Sequence, residues 1–285
     1  MKLLSSTKDR KPLLTFKLYK RHIIAIIILI AAAIFGYSIY FKYFMILPPS
    51  AIHVLPDLPV DLTSQKVLLF APHCDDEILS SGGLIHRALS QGSSMRVIIT
   101  TDYNKHKNGD VRKKETETGL ATVGLSKQNI GYFNLPEGEG NYKNSADDSQ
   151  VREAIKGEVE SFNPTIVVLP LPQDSHRDHA IVGRVGQSYL EDKKNIQVIY
   201  YLIHYNFLRF PSPPGLQPDA YVLPPARLIN FSDRWYKFDL TDDEIEIKED
   251  AISKYKSQLS LKNPILVRVL WDFARKNELF MMETK

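Results

Sequence analysis

The chain has a single cysteine, Cys74, so no disulfide forms within it and no cysteine-rich metal site can be built. That scarcity leaves the compartment open, because a disulfide-free domain is stable in either redox environment. Internal repeats and low-complexity tracts are also missing. Past residue 21 there is no surplus of positive charge. Of the net +3, residues 1–21 contribute +6 (seven Lys and Arg against Asp9), which leaves −3 for the rest. A slightly acidic main part gives no electrostatic footing for nucleic acid. Ile23 to Phe41 carries no charge of either sign.

That uncharged run is dominated by Ile, Ala, Leu and Phe. As a helix rising about 1.5 Å per residue it would reach about 28 Å, the thickness of a bilayer's hydrocarbon core. It shows no polar face, unlike the core helix of a soluble domain. It is longer than a signal-peptide core, and no small-x-small cleavage site follows before Pro48. The expected plan is a basic cytoplasmic tail over 1–21, an uncleaved transmembrane anchor over 22–47 and a proline-rich linker over 48–64. One globular domain follows over 65–285. The basic flank keeps the N-terminus cytoplasmic, with the domain on the far side of the membrane, in the cell envelope if the source is bacterial.

From Gln65 the chain alternates short β-branched runs with amphipathic stretches. Strands are expected at Val67–Ala71, Met95–Thr100, Ile130–Phe133, Thr165–Pro170 and Gln197–Leu202. Helices are expected near 77–91, 111–123, 149–161 and 178–192. The alternation predicts an α/β, Rossmann-like, doubly wound and mostly parallel sheet ordered 3-2-1-4-5, helices on both faces, preceded by one transmembrane helix. Farther on, Phe207 to Pro225 reads as a proline-rich surface loop and Tyr236 to Leu240 as an edge strand. Two helices, near 243–261 and 264–277, complete the pattern.

Two polar clusters each follow a strand. Ala71-Pro72-His73-Cys74-Asp75-Asp76-Glu77 follows the first, and Asp174-Ser175-His176-Arg177-Asp178-His179 the fourth. In a 3-2-1-4-5 sheet those strands are neighbours whose loops diverge, and ligands bind in that crevice. His73, Asp76 and His179 can supply two imidazoles and one carboxylate to a metal, leaving a position for water. Asp75 is then free as a general base. His176 lies one helical turn before His179, with Asp178 placed to hold its tautomer and favour its protonated form. His22, His53, His86, His106 and His204 have no such partners and are expected to be structural or superficial. Cys74 is expected to be a small buried side chain.

These motifs resemble the LmbE-like, or PIG-L, family of zinc-dependent N-acetylglucosaminyl deacetylases. The first family motif, Ala-(Pro)-His-Pro-Asp-Asp-Glu followed by Gly-Gly, stands here as Ala71 to Glu77 with Gly82-Gly83. The second, His-x-Asp-His, is His176 to His179. Weaker likenesses are Arg112 to Glu115 opening a helix that runs to Gly124, Lys248 to Gln258 with Tyr255-Lys256-Ser257-Gln258, and Glu278-Leu279-Phe280. The resemblance implies Zn2+ held by His73, Asp76 and His179, Asp75 as base, His176 steadying the oxyanion and Asp178 orienting it. It also implies Arg112 holding substrate hydroxyls or a phosphate. One departure is Cys74 in place of the motif's proline, which removes no catalytic group.

The implied reaction is hydrolysis of the N-acyl group of an amino sugar or glycoconjugate by zinc-activated water. The expected partners are that substrate and the lipid bilayer, with protein partners unspecified. Two other readings fit part of the pattern. A two-His, one-carboxylate set also serves non-haem iron oxygenases, which usually sit on all-β barrels. A retired enzyme fold could serve as a glycan-binding scaffold, yet here every matching position is filled. A metal hydrolase of another amide is the nearest alternative.

Overall fold

The computed structural model describes residues 19–40, 47–102, 108–138, 147–205, 210–211, 220–229, 233–260 and 264–283. The chain separates into two compact units, Met1–Phe44 and Met45–Lys285. The first contains one described helix, α1 (Lys20–Tyr40), exposed throughout its 21 residues. At 1.5 Å per residue it is about 31 Å long. It is the one helix among the described residues long and apolar enough to cross a membrane.

The second unit is built on one seven-stranded sheet in the order β3-β2-β1-β4-β5-β7-β6. Its parallel part comprises β1 (Lys66–Ala71), β2 (Ser94–Thr101), β3 (Ile130–Leu135), β4 (Ile166–Pro170) and β5 (Gln197–Tyr201). The helices α2 (Asp76–Ser90), α3 (Gly109–Thr122), α4 (Asp148–Phe162) and α5 (Arg177–Leu190) alternate with these strands. Leu68, Leu69, Phe70, Ile98, Ile99, Val167 and Val168 are fully buried. Such near-continuous apolar runs are what a strand covered on both faces requires. The expected order 3-2-1-4-5 is present, with each of these elements within two residues of its expected limits.

The C-terminal third departs from expectation in three ways. Asn277–Glu283 forms β7, a strand not foreseen, inserted antiparallel between β5 and β6 (Asp233–Asp239). The foreseen edge strand does lie at the edge of the sheet, joined to it through β7. The expected helix over 243–261 is divided into α6 (Asp242–Ser253) and the short α7 (Lys256–Leu259). The break falls at Tyr255 (φ −82°, ψ 58°), whose side chain turns into the protein. The helix expected over 264–277 is shorter, α8 (Pro264–Trp271), and its expected last residue, Asn277, begins β7 instead. Part of the proline-rich segment 48–64 packs on this unit: Leu58 and Leu62 are buried, and Leu58 and Lys237 join through the backbone at 2.8 Å. Of the proline-rich stretch 207–225, residues 207–209 and 212–219 lie outside the described residues.

Two local features bring the strand ends together. A Cβ at Gly183 would lie 2.4 Å from the carbonyl oxygen of Pro170, so only glycine lets α5 ride directly on the end of β4. Within α2, Ser81 leaves helical geometry (φ −141°, ψ 18°), and the N–H groups of Gly83 and Leu84 donate instead to Glu278 of β7 at 2.7 and 2.9 Å. Lys248 of α6 completes this fully buried group with a 2.7 Å ion pair to Glu278. Helix α2, which begins with the first polar motif, is thereby tied to the C-terminal part of the sheet.

Candidate active site

The loop after β1 is held from both sides. Thr101, at the end of β2, donates its N–H and its hydroxyl to the carbonyl of Pro72 at 3.1 and 2.8 Å. Asp76 opens α2 and accepts the N–H of His73 on Oδ2 at 2.8 Å. Between them Asp75 adopts φ 116°, ψ −32°, a region that residues with a Cβ seldom occupy. Its carbonyl accepts the N–H groups of Ile78 and Leu79, starting the helix.

The loop after β4 is organised by Asp174. Its Oδ1 accepts the N–H of His176 at 2.8 Å, and its Oδ2 accepts those of Ile203 and His204 at 3.1 and 3.0 Å. The loop is thus stitched to the segment leaving β5. His176 caps α5, accepting the N–H of Asp178 on Nδ1 at 3.3 Å. Since β1 and β4 are hydrogen-bonded neighbours, the two loops meet at the carboxyl end of the sheet.

There three donor atoms converge. His73 Nδ1 lies 3.2 Å from His179 Nε2 and 3.3 Å from Asp76 Oδ2, and His179 Nε2 lies 3.0 Å from Asp76 Oδ2. Ligand bonds of about 2.0–2.1 Å in a tetrahedron put donor atoms about 3.3 Å apart, so this trio fits a tetrahedral divalent ion. Behind each imidazole stands a carboxylate: Asp178 Oδ2 is 3.1 Å from His73 Nε2, and Asp174 Oδ2 is 3.3 Å from His179 Nδ1. Metal-binding histidines are commonly backed in this way, which fixes the ring and raises its basicity. The same cluster offers looser trios, His73-His176-His179 and Asp76-His179-His204, with donor atoms within 4.8 Å of one another.

Charge in the site follows from this packing. Burial opposes protonation of His73, but its bonds to Asp178 and Asp76 outweigh burial and lift its pKa to about 9. His179 is likewise driven up against its burial by Asp76 and Asp174. Protein carboxylates therefore make this pocket favour positive charge, the property a cation site needs; a metal would displace the protons. Burial raises Asp75 to about 7, against the lowering influence of Arg112. His176 is pushed down to about 2, by burial first and then by His73, His179 and His204.

The residues singled out from the sequence are brought together, with three revisions. Asp178 does not turn its carboxylate to His176 (Nδ1 to Oδ2, 4.0 Å) but to His73. Residues two apart at a helix start do not face each other. With its Nδ1 accepting a backbone N–H, His176 stays neutral and carries its proton on Nε2, so the expected protonated form is not favoured. Arg112 is buried, donating from Nη2 to the carbonyl of Cys74 at 2.9 Å and lying 3.9 Å from Asp75 Oδ2, so its guanidinium braces the loop. Cys74 is fully buried, as expected, and burial pushes its thiol pKa well up.

Sequence reasoning missed His204 and assigned no role to Asp174. His204 is not isolated: its ring centroid is 4.8 Å from that of His179 and 5.3 Å from that of His176. Its position just beyond β5, on the same sheet edge as both motifs, was the available signal. Asp174 lies two residues before His176, and only the folded loop reveals that its carboxylate backs His179.

The family model PIG-L, described as GlcNAc-PI de-N-acetylase, matches residues 68–190. No curated protein matches the chain. Among solved structures, the zinc-inhibited form of teicoplanin deacetylase Orf2 is similar at 14% identity with a TM-score of 0.56, over 77% of this chain and 99% of that one. N,N'-diacetylchitobiose deacetylase from Pyrococcus horikoshii is similar at 20% identity with a TM-score of 0.53, over 77% and 84%. The A40926 pseudoaglycone deacetylase Dbv21 is similar at 14% with a TM-score of 0.55, over 77% and 96%. At these identities the likeness is one of fold, and the span of the family match contains both polar motifs, 71–77 and 174–179. Residues 68–190 carry the match to the PIG-L family domain, and the solved structures of like fold are deacetylases.

Proposed function

We propose that the chain is a zinc-dependent N-deacetylase that hydrolyses the N-acyl group of an amino sugar or glycoconjugate. The observation that carries this reading is the convergence of His73 Nδ1, Asp76 Oδ2 and His179 Nε2 at 3.0–3.3 Å, with a carboxylate behind each imidazole. The family description and the deacetylases of like fold supply the reaction class. His73, Asp76 and His179 would hold a divalent ion, which when bound would supply a Lewis acid to polarise the amide carbonyl and acidify water.

The remaining steps belong to side chains. Asp75 takes the proton of the attacking water and returns it to the departing amine, which leaves a carboxylate and a free amino sugar. His176 donates its Nε2–H to the oxyanion of the tetrahedral intermediate. Arg112 holds the loop that carries Asp75. Asp178 and Asp174 fix the rings of His73 and His179. The basic N-terminus stays in the cytoplasm and α1 crosses the bilayer, so the domain works on the other side, near envelope or membrane-bound glycans. Protease added to sealed inside-out vesicles should then spare the domain; digestion would reverse the orientation.

The test uses the full-length chain in detergent, with metal content and free-amine release from N-acetylglucosamine derivatives measured with and without a chelator. Stoichiometric zinc and chelator-sensitive release are expected. Asp75→Ala should lower kcat by about 10²–10⁴-fold with zinc near the wild-type level. Folded protein without metal, or release indifferent to the chelator, would contradict the reading.

A further inference from the structure

Glu77 closes the first motif, yet neither metal binding nor proton transfer uses it. It is completely buried, and both of its oxygens are engaged. Oε2 accepts the N–H of Asp75 at 3.0 Å, and Oε1 accepts the hydroxyl of Tyr255 at 2.5 Å. Asp75 is the residue held at φ 116°. Backbone strain of this kind persists only where the surroundings over-determine it. The Glu77 bond supplies that constraint, and Tyr255, 178 residues away in sequence, anchors Glu77.

Tyr255 sits in the break between α6 and α7, 2% exposed. A Cβ at Gly119 would lie 2.6 Å from its ring, so α3 packs flush against it. Two residues on, Ser257 donates its N–H and its hydroxyl to the carboxylate of Glu115 at 2.7 and 2.6 Å. Glu115 lies on α3, the helix that carries Arg112, whose Nη2 donates to Cys74 beside Asp75. One short segment thus grips both supports of the Asp75 loop, Glu77 directly and Arg112 through α3.

We propose that Tyr255 and Ser257 form a positioning clip that holds Asp75 in its strained, reactive conformation. The clip rests on the reading of Asp75 as general base. Tyr255 and Ser257 are positioning residues that act through Glu77, Glu115 and Arg112. The break in the helix expected over 243–261 is what turns Tyr255 inward to make the first of these contacts.

Full-length Tyr255→Phe removes the hydroxyl and keeps the ring. A misplacement of the base of this order should lower kcat by about 10²-fold, while KM and bound zinc stay near wild type. Its crystal structure should show Asp75 leaving the positive-φ region. Wild-type kcat, or loss of zinc along with activity, would overturn the clip. If the wild type releases no amine from any sugar substrate tried, the deacetylase reading fails separately, and the Asp75 backbone in the Tyr255→Phe crystal still decides the clip. Should Tyr255→Phe not fold, Ser257→Ala decides instead: reduced kcat with zinc retained supports the clip, and wild-type kcat overturns it.

Discussion

The parallel strands β1–β5 and the C-terminal segment 241–283 serve one site by different means. The parallel strands deliver reactive side chains from their carboxyl ends, through loops only a few residues long. The C-terminal segment places Lys248, Tyr255 and Glu278, which are buried, and the partly buried Ser257 against α2 and α3. Residues of the first kind bring His73 Nδ1, Asp76 Oδ2 and His179 Nε2 within 3.0–3.3 Å of one another. Those of the second kind touch backbone N–H groups of α2 and the carboxylates of Glu77 and Glu115. Arg112, Asp174 and Asp178 support their neighbours from within the parallel part as well, so the C-terminal segment adds a second set of supports that mutation can separate from the donor atoms.

The largest effect expected on the chemical side is from His179→Ala. Loss of one donor from the 3.0–3.3 Å trio should abolish both metal binding and amine release, read by metal analysis of the purified protein. Retained stoichiometric zinc would break the comparison at its base. Asp178→Asn should weaken metal affinity by about 10–100-fold, measured by chelator competition, because its carboxylate backs His73. Unchanged affinity with lower kcat would instead return Asp178 to the role at His176 expected from the sequence.

On the positioning side, Glu278→Gln strips the buried Lys248 of its counter-charge and should cost about 3–5 kcal/mol in urea unfolding. Asp148→Asn, which breaks the exposed pair with Arg184, should cost at most about 1 kcal/mol. Equal costs would mean that the Lys248–Glu278 group does not tie α2 to the C-terminal segment.

What could be read from the sequence follows the same division. Strands such as Val67–Ala71 and their helices announce themselves by local periodicity, and both motifs lie directly after strands, so their meeting follows from strand order. Strand β7 is not announced that way. Asn277–Glu283 has little β-branched character and gains its strand form from pairing with β6 and β5, the latter some 80 residues earlier. Tyr255 stands in the break of a helical pattern, and its hydroxyl is bonded to Glu77, a contact no window of sequence contains. Similarly, the spacing of His176, Asp178 and His179 identifies the cluster, while the direction of each carboxylate depends on α5 settling onto β4 at Gly183.

The most direct test of the central claim is diffraction at the zinc absorption edge from crystals of the full-length chain grown with zinc. The account predicts an anomalous peak about 2.0–2.2 Å from His73 Nδ1, Asp76 Oδ2 and His179 Nε2. A peak held instead by His176 or His204, or no peak in that position, would contradict it.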